Sequence, residues 1–402
     1  MAVSGGAGRA FTGIFGFFGM LILAVLVPLV PLGLAPGMAV LSVLCVAAFF
    51  WHRRFLPIPD RVLLLALGLF LGWAGFSLTW TIGGGKATTG FFSFLYLWLP
   101  SLLLLSLLTE LSDIAARRLT GWLLPAAVLG ATLFAVELLA GQPIQHWAAG
   151  PDKGLLDFER DLNRAALLLS LLAGPVALLL WRLGWRRVAG LALFVPLLMA
   201  ADSSSQSAVA ALAGVIILLS VAVLSWRLAA GLVAVGIVAG FTLCGPVAQW
   251  MMTAGLSDAA WMPDSFRHRI MTWHFVAGRL GDHPWIGWGL EASRAIPGGG
   301  EVFPNTGPPG WPVLPIHPHN LFLQVRLELG WVGAAAAGLL LLVILHRLTR
   351  LDAAIRPMAI AVLGGAIFTQ CFAYGAWQGW LICGMLFCAA LVALAGRITS
   401  PS

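Results

Sequence analysis

Charge is what this chain has least of: 10% of its 402 residues are charged, while 60% are hydrophobic. Soluble domains carry about 25% charged residues, so a water-soluble globular body is excluded. Cysteine is sparse as well. Cys45, Cys244, Cys371, Cys383 and Cys388 all fall in apolar stretches without metal-ligand spacing, which excludes a disulfide framework and a zinc site and leaves them as packing residues. There is no internal repeat, and no heptad pattern that would make a coiled coil.

What fills the chain instead is apolar runs close to the roughly 20 residues that cross a bilayer. About twelve such runs are present, at 11–34, 36–51, 62–80, 90–108, 120–140, 165–181, 187–201, 207–225, 228–248, 319–345, 355–374 and 377–395. An all-α polytopic membrane protein follows. The first run contains Pro28 and Pro31 and lacks a small-residue cleavage site in a polar setting, so it is expected to be retained. With the N-terminus inside, alternate connections carry Arg9, then Arg53, Arg54 and Arg61, then Arg117 and Arg118, then Arg182, Arg186 and Arg187, then Arg227, then Arg347, Arg350 and Arg356, and finally Arg397. Basic residues accumulate on the cytoplasmic side of membrane proteins, and both termini are expected there. The formal charge of +7 is therefore a topology device, and a nucleic-acid partner is discounted. Lys86, Lys153, Arg160, Arg164, Arg267, Arg269, Arg279, Arg294 and Arg326 run against this bias or fall within a span, and each calls for a reason.

Two outward connections are long, 141–164 and 249–318. The chain divides into nine N-terminal spans over 1–248, an external loop domain with amphipathic helices over 249–318, and three C-terminal spans over 319–402. Within the loop domain Ile270, Trp273, Val276 and Ala277 share one face, the pattern of a helix lying at the membrane surface, with Asp264 or Ser265 as its cap. A breaker-rich run follows, His283-Pro284-Trp285-Ile286-Gly287-Trp288-Gly289. After it, 297–318 is rich in Pro and Gly, the composition of a lid or substrate-binding loop.

Chemistry concentrates at Ile316-His317-Pro318-His319-Asn320, where this polar stretch meets an apolar helix. Pro318 is placed to begin the helix, which would put His319 on its first turn, where the helix dipole disfavours the imidazolium and keeps a neutral base. The alternative is an interfacial histidine that only hydrogen-bonds the loop. Arg326, two turns further on, is costly in lipid and is expected to face a polar cavity or a carboxylate, with Glu328 and Glu137 as candidate partners. Arg267 and Arg269 on the platform, with Arg160 and Arg164 at the mouth of the sixth span, suit bidentate contacts to phosphate. They could equally be neutralised by Asp157, Glu159, Asp161 and Asp264. Asp202 to Ser207, with Gln206, forms a polar knot that either satisfies its own backbone or lines a sugar site.

Arg269-Ile-Met-Thr-Trp273, the His283 to Gly289 run, and His319-Asn320-Leu321 followed by Gly330-Trp331-Val332-Gly333 together resemble the O-antigen ligase-like superfamily. That group holds lipopolysaccharide O-antigen ligases, O-antigen polymerases and protein O-oligosaccharyltransferases. The resemblance covers 155–395. It implies a GT-C-like glycosyltransferase of the bacterial inner membrane that works at the periplasmic face without metal or nucleotide cofactor. Undecaprenyl diphosphate would carry the donor glycan, and the lipid A-core or another hydroxyl compound would accept it. It further implies that His319 is the catalytic base and that Arg269, with Arg267, binds the departing diphosphate; read from the residues themselves, His317, Asn320, Arg326, Gln206 and Asp202 are the candidates for binding substrate or supporting the site. Where the family often has Ser-Arg or Thr-Arg, this chain has Ser205-Gln206; Arg164 is the expected replacement, with Arg160 beside it. A lipid-linked glycan transporter is the competing class, disfavoured because the polar groups gather at one face and no repeat is visible.

Overall fold

The computed structural model describes residues 6–149, 154–203, 205–302 and 311–399. Lys153, Ser204 and part of the 297–318 loop lie outside them. The regular secondary structure of the described residues is helical apart from one isolated bridge, Val302 to Pro312. In chain order, α1 (Gly6–Leu21) passes through a π-turn into α2 (Val27–Leu29), followed by α3 (Leu34–Arg53), α4 (Arg61–Phe76), α5 (Gly85–Leu108), α6 (Asp113–Leu139) and the short α7 (Pro143–Ala149). Then come α8 (Leu155–Arg182), α9 (Arg186–Asp202), α10 (Gln206–Leu224), α11 (Trp226–Thr253), α12 (Asp264–Arg279), α13 (Leu321–Thr349), α14 (Arg356–Gln370) and α15 (Gly379–Ala395).

Among the described residues nine helices are long and apolar enough to cross a membrane. The three remaining expected spans are also helical but shorter: α9 and α15 have 17 residues and α14 has 15. Connections separate into two ends. At one, Arg347 pairs with Asp60 at 3.0 Å, Arg397 donates to the Leu111 carbonyl at 2.8 Å, and Asp113 accepts from the Thr399 amide at 2.7 Å. At the other, Gln142 donates to the Phe158 carbonyl and Trp80 to the Gly287 carbonyl. The second end carries the platform. Polar side chains that cap helices start several spans: Asp60 accepts from Leu63 N, Ser112 from Ala115 N and Ser225 from Leu228 N, each satisfying an amide that has no partner within the helix. At the centre lies α8, the most buried of the nine spans.

Three boundaries differ from the sequence expectation. The helix α8 begins at Leu155, ten residues before the expected span, so Arg160 and Arg164 ride on its first turns rather than in a loop. The helix α14 stops at Gln370, and 371–378 is non-helical because Gly375 and Gly379 break the pattern. Asp264 does not cap α12, whose N-cap is Pro263; it pairs with Arg267 instead. The buried face of α12 is as expected, with Ile270, Trp273 and Val276 in the core.

One feature joins the two glycine-rich motifs. Helix α13 is interrupted at Gly330, whose φ is +65° and ψ −161°, and the 283–289 loop packs into the break. Trp288 and Gly289 amides donate to the carbonyls of Leu327 and Glu328 at 2.9 and 2.7 Å, while the Trp331 and Val332 amides donate to Pro284 and Trp285 at 2.9 and 3.1 Å. A Cβ on Gly330 would lie 2.3 Å from the Trp285 carbonyl oxygen, and one on Gly287 would lie 2.4 Å from that of Glu328. Gly330→Val therefore meets both a backbone clash and a positive φ, worth about 1–3 kcal/mol as strain alone. We expect it to abolish monodisperse folded protein in size-exclusion chromatography, whereas Val332→Ala on the same helix should elute as wild type.

Candidate functional site

The site assembles where the start of α13, the helix α12, the turn at 291–294 and the 371–378 loop meet. Helix α13 begins at Leu321, capped by Asn320, whose side chain accepts from the Phe322 and Leu323 amides at 3.1 Å each. This corrects the expectation that Pro318 opens the helix: an Asn side chain caps the amides that Pro at N1 would leave free. His319 therefore stands outside the helix, with a φ of +54°. Side chains rarely adopt that conformation, at a cost of about 1–3 kcal/mol, and it turns the imidazole away from the helix axis toward the 371–378 loop. Asn320 spends its side chain on the cap.

Hydrogen bonding assigns the tautomer of His319. Its Nδ1 lies 2.7 Å from the Ala373 carbonyl oxygen; a carbonyl only accepts, so Nδ1 carries the hydrogen and the unprotonated nitrogen of the neutral ring is Nε2. Burial, followed by the nearby positive charge of Arg269, pushes the imidazole down to about 4. The ring is thus neutral at physiological pH for reasons of burial and a cationic neighbour, rather than the helix dipole.

His317 is built in by a different route. Trp380 Nε1 donates to Gln378 Oε1 at 3.0 Å, which orients the amide so that its nitrogen faces His317 Nε2 at 3.3 Å. His317 Nε2 is then an acceptor and Nδ1 carries its hydrogen. The two imidazoles sit edge to face with centroids 4.3 Å apart. His317 is buried, and burial first, then the charges around it, hold it well below the ordinary histidine range.

Arg269, on α12, is half-buried and has no ion pair among the described residues. Burial lowers the affinity of its guanidinium for its proton. Its field reaches His317, His319 and Tyr374. Tyr374 also feels Arg164 and Arg160, so the mouth of α8 and α12 face a common space. Here the four outer arginines part company. Arg267 pairs with Asp264, Arg160 with Asp157 at 3.0 Å while largely exposed, and Arg164 with Asp161 at 2.7 Å while largely covered. Ser205 donates weakly to the Asn163 carbonyl at 3.5 Å, so the Ser205-Gln206 pair and Arg164 are neighbours in space.

Several expected members are placed elsewhere. Arg326 finds neither Glu328 nor Glu137: it donates to the Phe241 carbonyl at 2.9 Å and stacks on Trp331, 3.3 Å from the ring centroid. Glu137 is occupied by the Ile144 and Gln145 amides at the start of α7. Asp202 and Gln206 are exposed, and the polar knot satisfies its own backbone, with Ser203 donating to Ala200 and accepting from the Ser205 amide. Ser204 of that knot lies outside the described residues.

The sequence reading missed the support of the site. Glu328 is fully buried and accepts four hydrogen bonds: from the Glu291 amide at 2.6 Å, Ser293 Oγ at 2.5 Å, Gln324 Nε2 at 3.1 Å and Trp377 Nε1 at 2.6 Å. Gln324 in turn accepts from the Ala376 amide at 2.8 Å. One carboxylate thus ties α13 to both the 291–294 turn and the loop that holds His319. Tyr374 and Ala373 were hidden inside a run taken for an uninterrupted span. Tyr374-Gly375-Ala376-Trp377-Gln378-Gly379, with two glycines and three polar-tipped side chains, was the signal for a break.

Residues 191–338 match the family described as O-Antigen ligase. A "Putative polysaccharide ligase" of Rickettsia conorii is 30% identical over 166 residues, 40% of either chain. Similarly named proteins of Rickettsia felis and Rickettsia typhi are 29% identical over 238 residues and 28% over 243, in both cases 58% of either chain. The chain spans between 40% and 58% of the length of these relatives. The matched family region takes in α12, the 283–289 run, both histidines and Gly330.

Proposed function

We propose, on the match of residues 191–338 to the O-Antigen ligase family and the likeness to polysaccharide ligases, that this chain transfers a glycan from undecaprenyl diphosphate to a sugar hydroxyl of the lipid A-core at the periplasmic face. The observation that carries this reading is His319, locked as the Nδ1–H tautomer by Ala373 and standing beside the unpaired Arg269. In the reaction the acceptor oxygen attacks the anomeric carbon and its proton passes to His319 Nε2. The bond from that carbon to the phosphate oxygen breaks, its electron pair leaving with the diphosphate. In-line attack inverts the anomeric centre. Arg269 stabilises the charge that develops on the leaving group, Arg164 serves in place of the arginine absent at Gln206, and Arg267 and Arg160 widen the cationic rim.

Incubating the purified protein with undecaprenyl diphosphate oligosaccharide and lipid A-core, with and without EDTA, tests this directly. Transfer to lipid A-core that survives EDTA is expected. Transfer only to a second glycan or to a protein hydroxyl would reassign the acceptor, making the chain a polymerase or protein O-oligosaccharyltransferase, and no transfer by folded protein would sink the reading.

Arg269→Gln separates two effects of one residue. The rate should fall because the leaving group loses a cation. The acid limb of His319 should also rise above about 4, toward but short of the ordinary value, because burial remains while the repelling charge is gone. NMR titration of the histidine ring provides the check; an unchanged midpoint would place Arg269 outside the site.

A further inference from the structure

A second cationic cleft lies on the other flank of the histidine pair. It holds about 240 Å³ between the outer half of α5, the 291–294 turn and the start of α15, and is lined by Lys86, Tyr96, Glu291, Arg294 and Trp377 among others. Trp377 and Gly379 form its wall, and Gln378 between them is the residue that hydrogen-bonds His317. The cleft and the histidines are therefore separated by one turn of chain. Arg294, on the wall of this cleft, lies close enough to His317 for its charge to act on that ring.

The cleft is built rather than left over. Glu291 is held at a φ of +57°, its amide bonded to Glu328 and its carboxylate to Arg294 Nε at 2.8 Å. A Cβ at Gly90 would come within 3.3 Å of Glu291 Oε1, so the Glu291 side chain packs closely on α5. Glu291 holds Arg294 in place through its Nε. Lys86 makes no ion pair among the described residues and leaves the cleft with an unmatched positive charge on an outer surface where the cytoplasmic bias would not place one. A cation and two aromatic side chains, Tyr96 and Trp377, lining one cleft suit a phosphorylated sugar, the ring faces packing on the aromatics.

We propose that this cleft binds the phosphorylated saccharide head group of the acceptor lipid, with Lys86 and Arg294 as its cationic contacts. The proposal rests on the glycan-transfer reading for the identity of the ligand, and it divides the site: diphosphate donor on the Arg269 flank, anionic acceptor on the Lys86 flank, the histidines between.

The test measures binding, so it does not depend on turnover. The full-length protein in detergent is titrated with lipid A-core, intact and enzymatically dephosphorylated, and separately with undecaprenyl diphosphate oligosaccharide. We expect Lys86→Glu to bind intact lipid A-core about tenfold more weakly, the loss of one charge-assisted contact. Lys86→Arg should restore binding, dephosphorylation should abolish the difference between variants, and donor affinity should stay unchanged. Wild type that fails to bind lipid A-core, a Lys86→Glu affinity within about twofold of wild type, or an equal loss for donor would each overturn the proposal. Phosphatidylglycerol competing as well as lipid A-core would also overturn it, making the cleft a general anionic-lipid site. Lys86-dependent binding in a protein that performs no transfer would uphold the cleft and remove the transfer reading.

Discussion

Replacing His319 with glycine should reduce glycan transfer by about 10²–10⁴-fold, the usual contribution of a positioned general base, while leaving the protein folded. Glycine is the informative substitution because position 319 sits at a φ of +54°, where any side chain is strained and glycine is not. Its removal forfeits one hydrogen bond to Ala373 and relieves the backbone, so thermal stability should change little. A dead, stable variant is the outcome that separates chemistry from packing. Activity retained in His319→Gly would remove the imidazole from the reaction. The pH profile adds an independent check on the proposed base: burial and Arg269 push the imidazole down to about 4, and only the neutral ring can accept a proton. The kcat/KM value should therefore stay level as pH falls through the ordinary histidine range and drop only as it nears that value. An acid limb near 6.5 would mean that the base is a different, water-exposed histidine.

Glu328→Ala should be strongly destabilising. It leaves the Glu291 amide, Ser293 hydroxyl, Gln324 amide and Trp377 indole without their acceptor. Buried donors left unsatisfied cost about 1–3 kcal/mol each, so a loss of about 3 kcal/mol or more is expected in detergent unfolding. Glu328→Gln is not an innocent mimic. Each carboxylate oxygen accepts twice, and the NH₂ of Gln would face two donors whichever way it turned. We expect Glu328→Gln to fold but to transfer poorly, because the 371–378 loop that orients His319 and His317 would shift. Wild-type activity in Glu328→Gln would show that this network does not position the histidines.

Much of this was legible in the sequence, for reasons that differ by element. Spans were readable because lipid demands apolar length and leaves basic residues at one end. Arg269 and His319 stood out because the resemblance assigns their two motifs to one site, and the structure brings them within electrostatic reach of each other. The start of α13 was misread because two helix-start signals, Pro318 and Asn320, stand two residues apart, and the side chain that satisfies two amides wins. The partner of Arg326 was misread because a carboxylate is the default counter-group, whereas a helix carbonyl and the face of Trp331 share the charge here. Glu328 was read as that missing partner and not as an acceptor for neutral donors, since its donors come from three separate stretches whose meeting depends on tertiary structure.

The interruption of α13 at Gly330 has a mechanical consequence. Four backbone hydrogen bonds bolt the 283–289 loop across the gap, and in an apolar surrounding each bond left open costs several kcal/mol. Lifting the platform off this helix would break all four together, so this joint does not swing during turnover. Under the proposed transfer, two bulky lipids would have to pass a fixed abutment, by sideways passage between helices or by displacement of the chain that lies between Arg294 and His317.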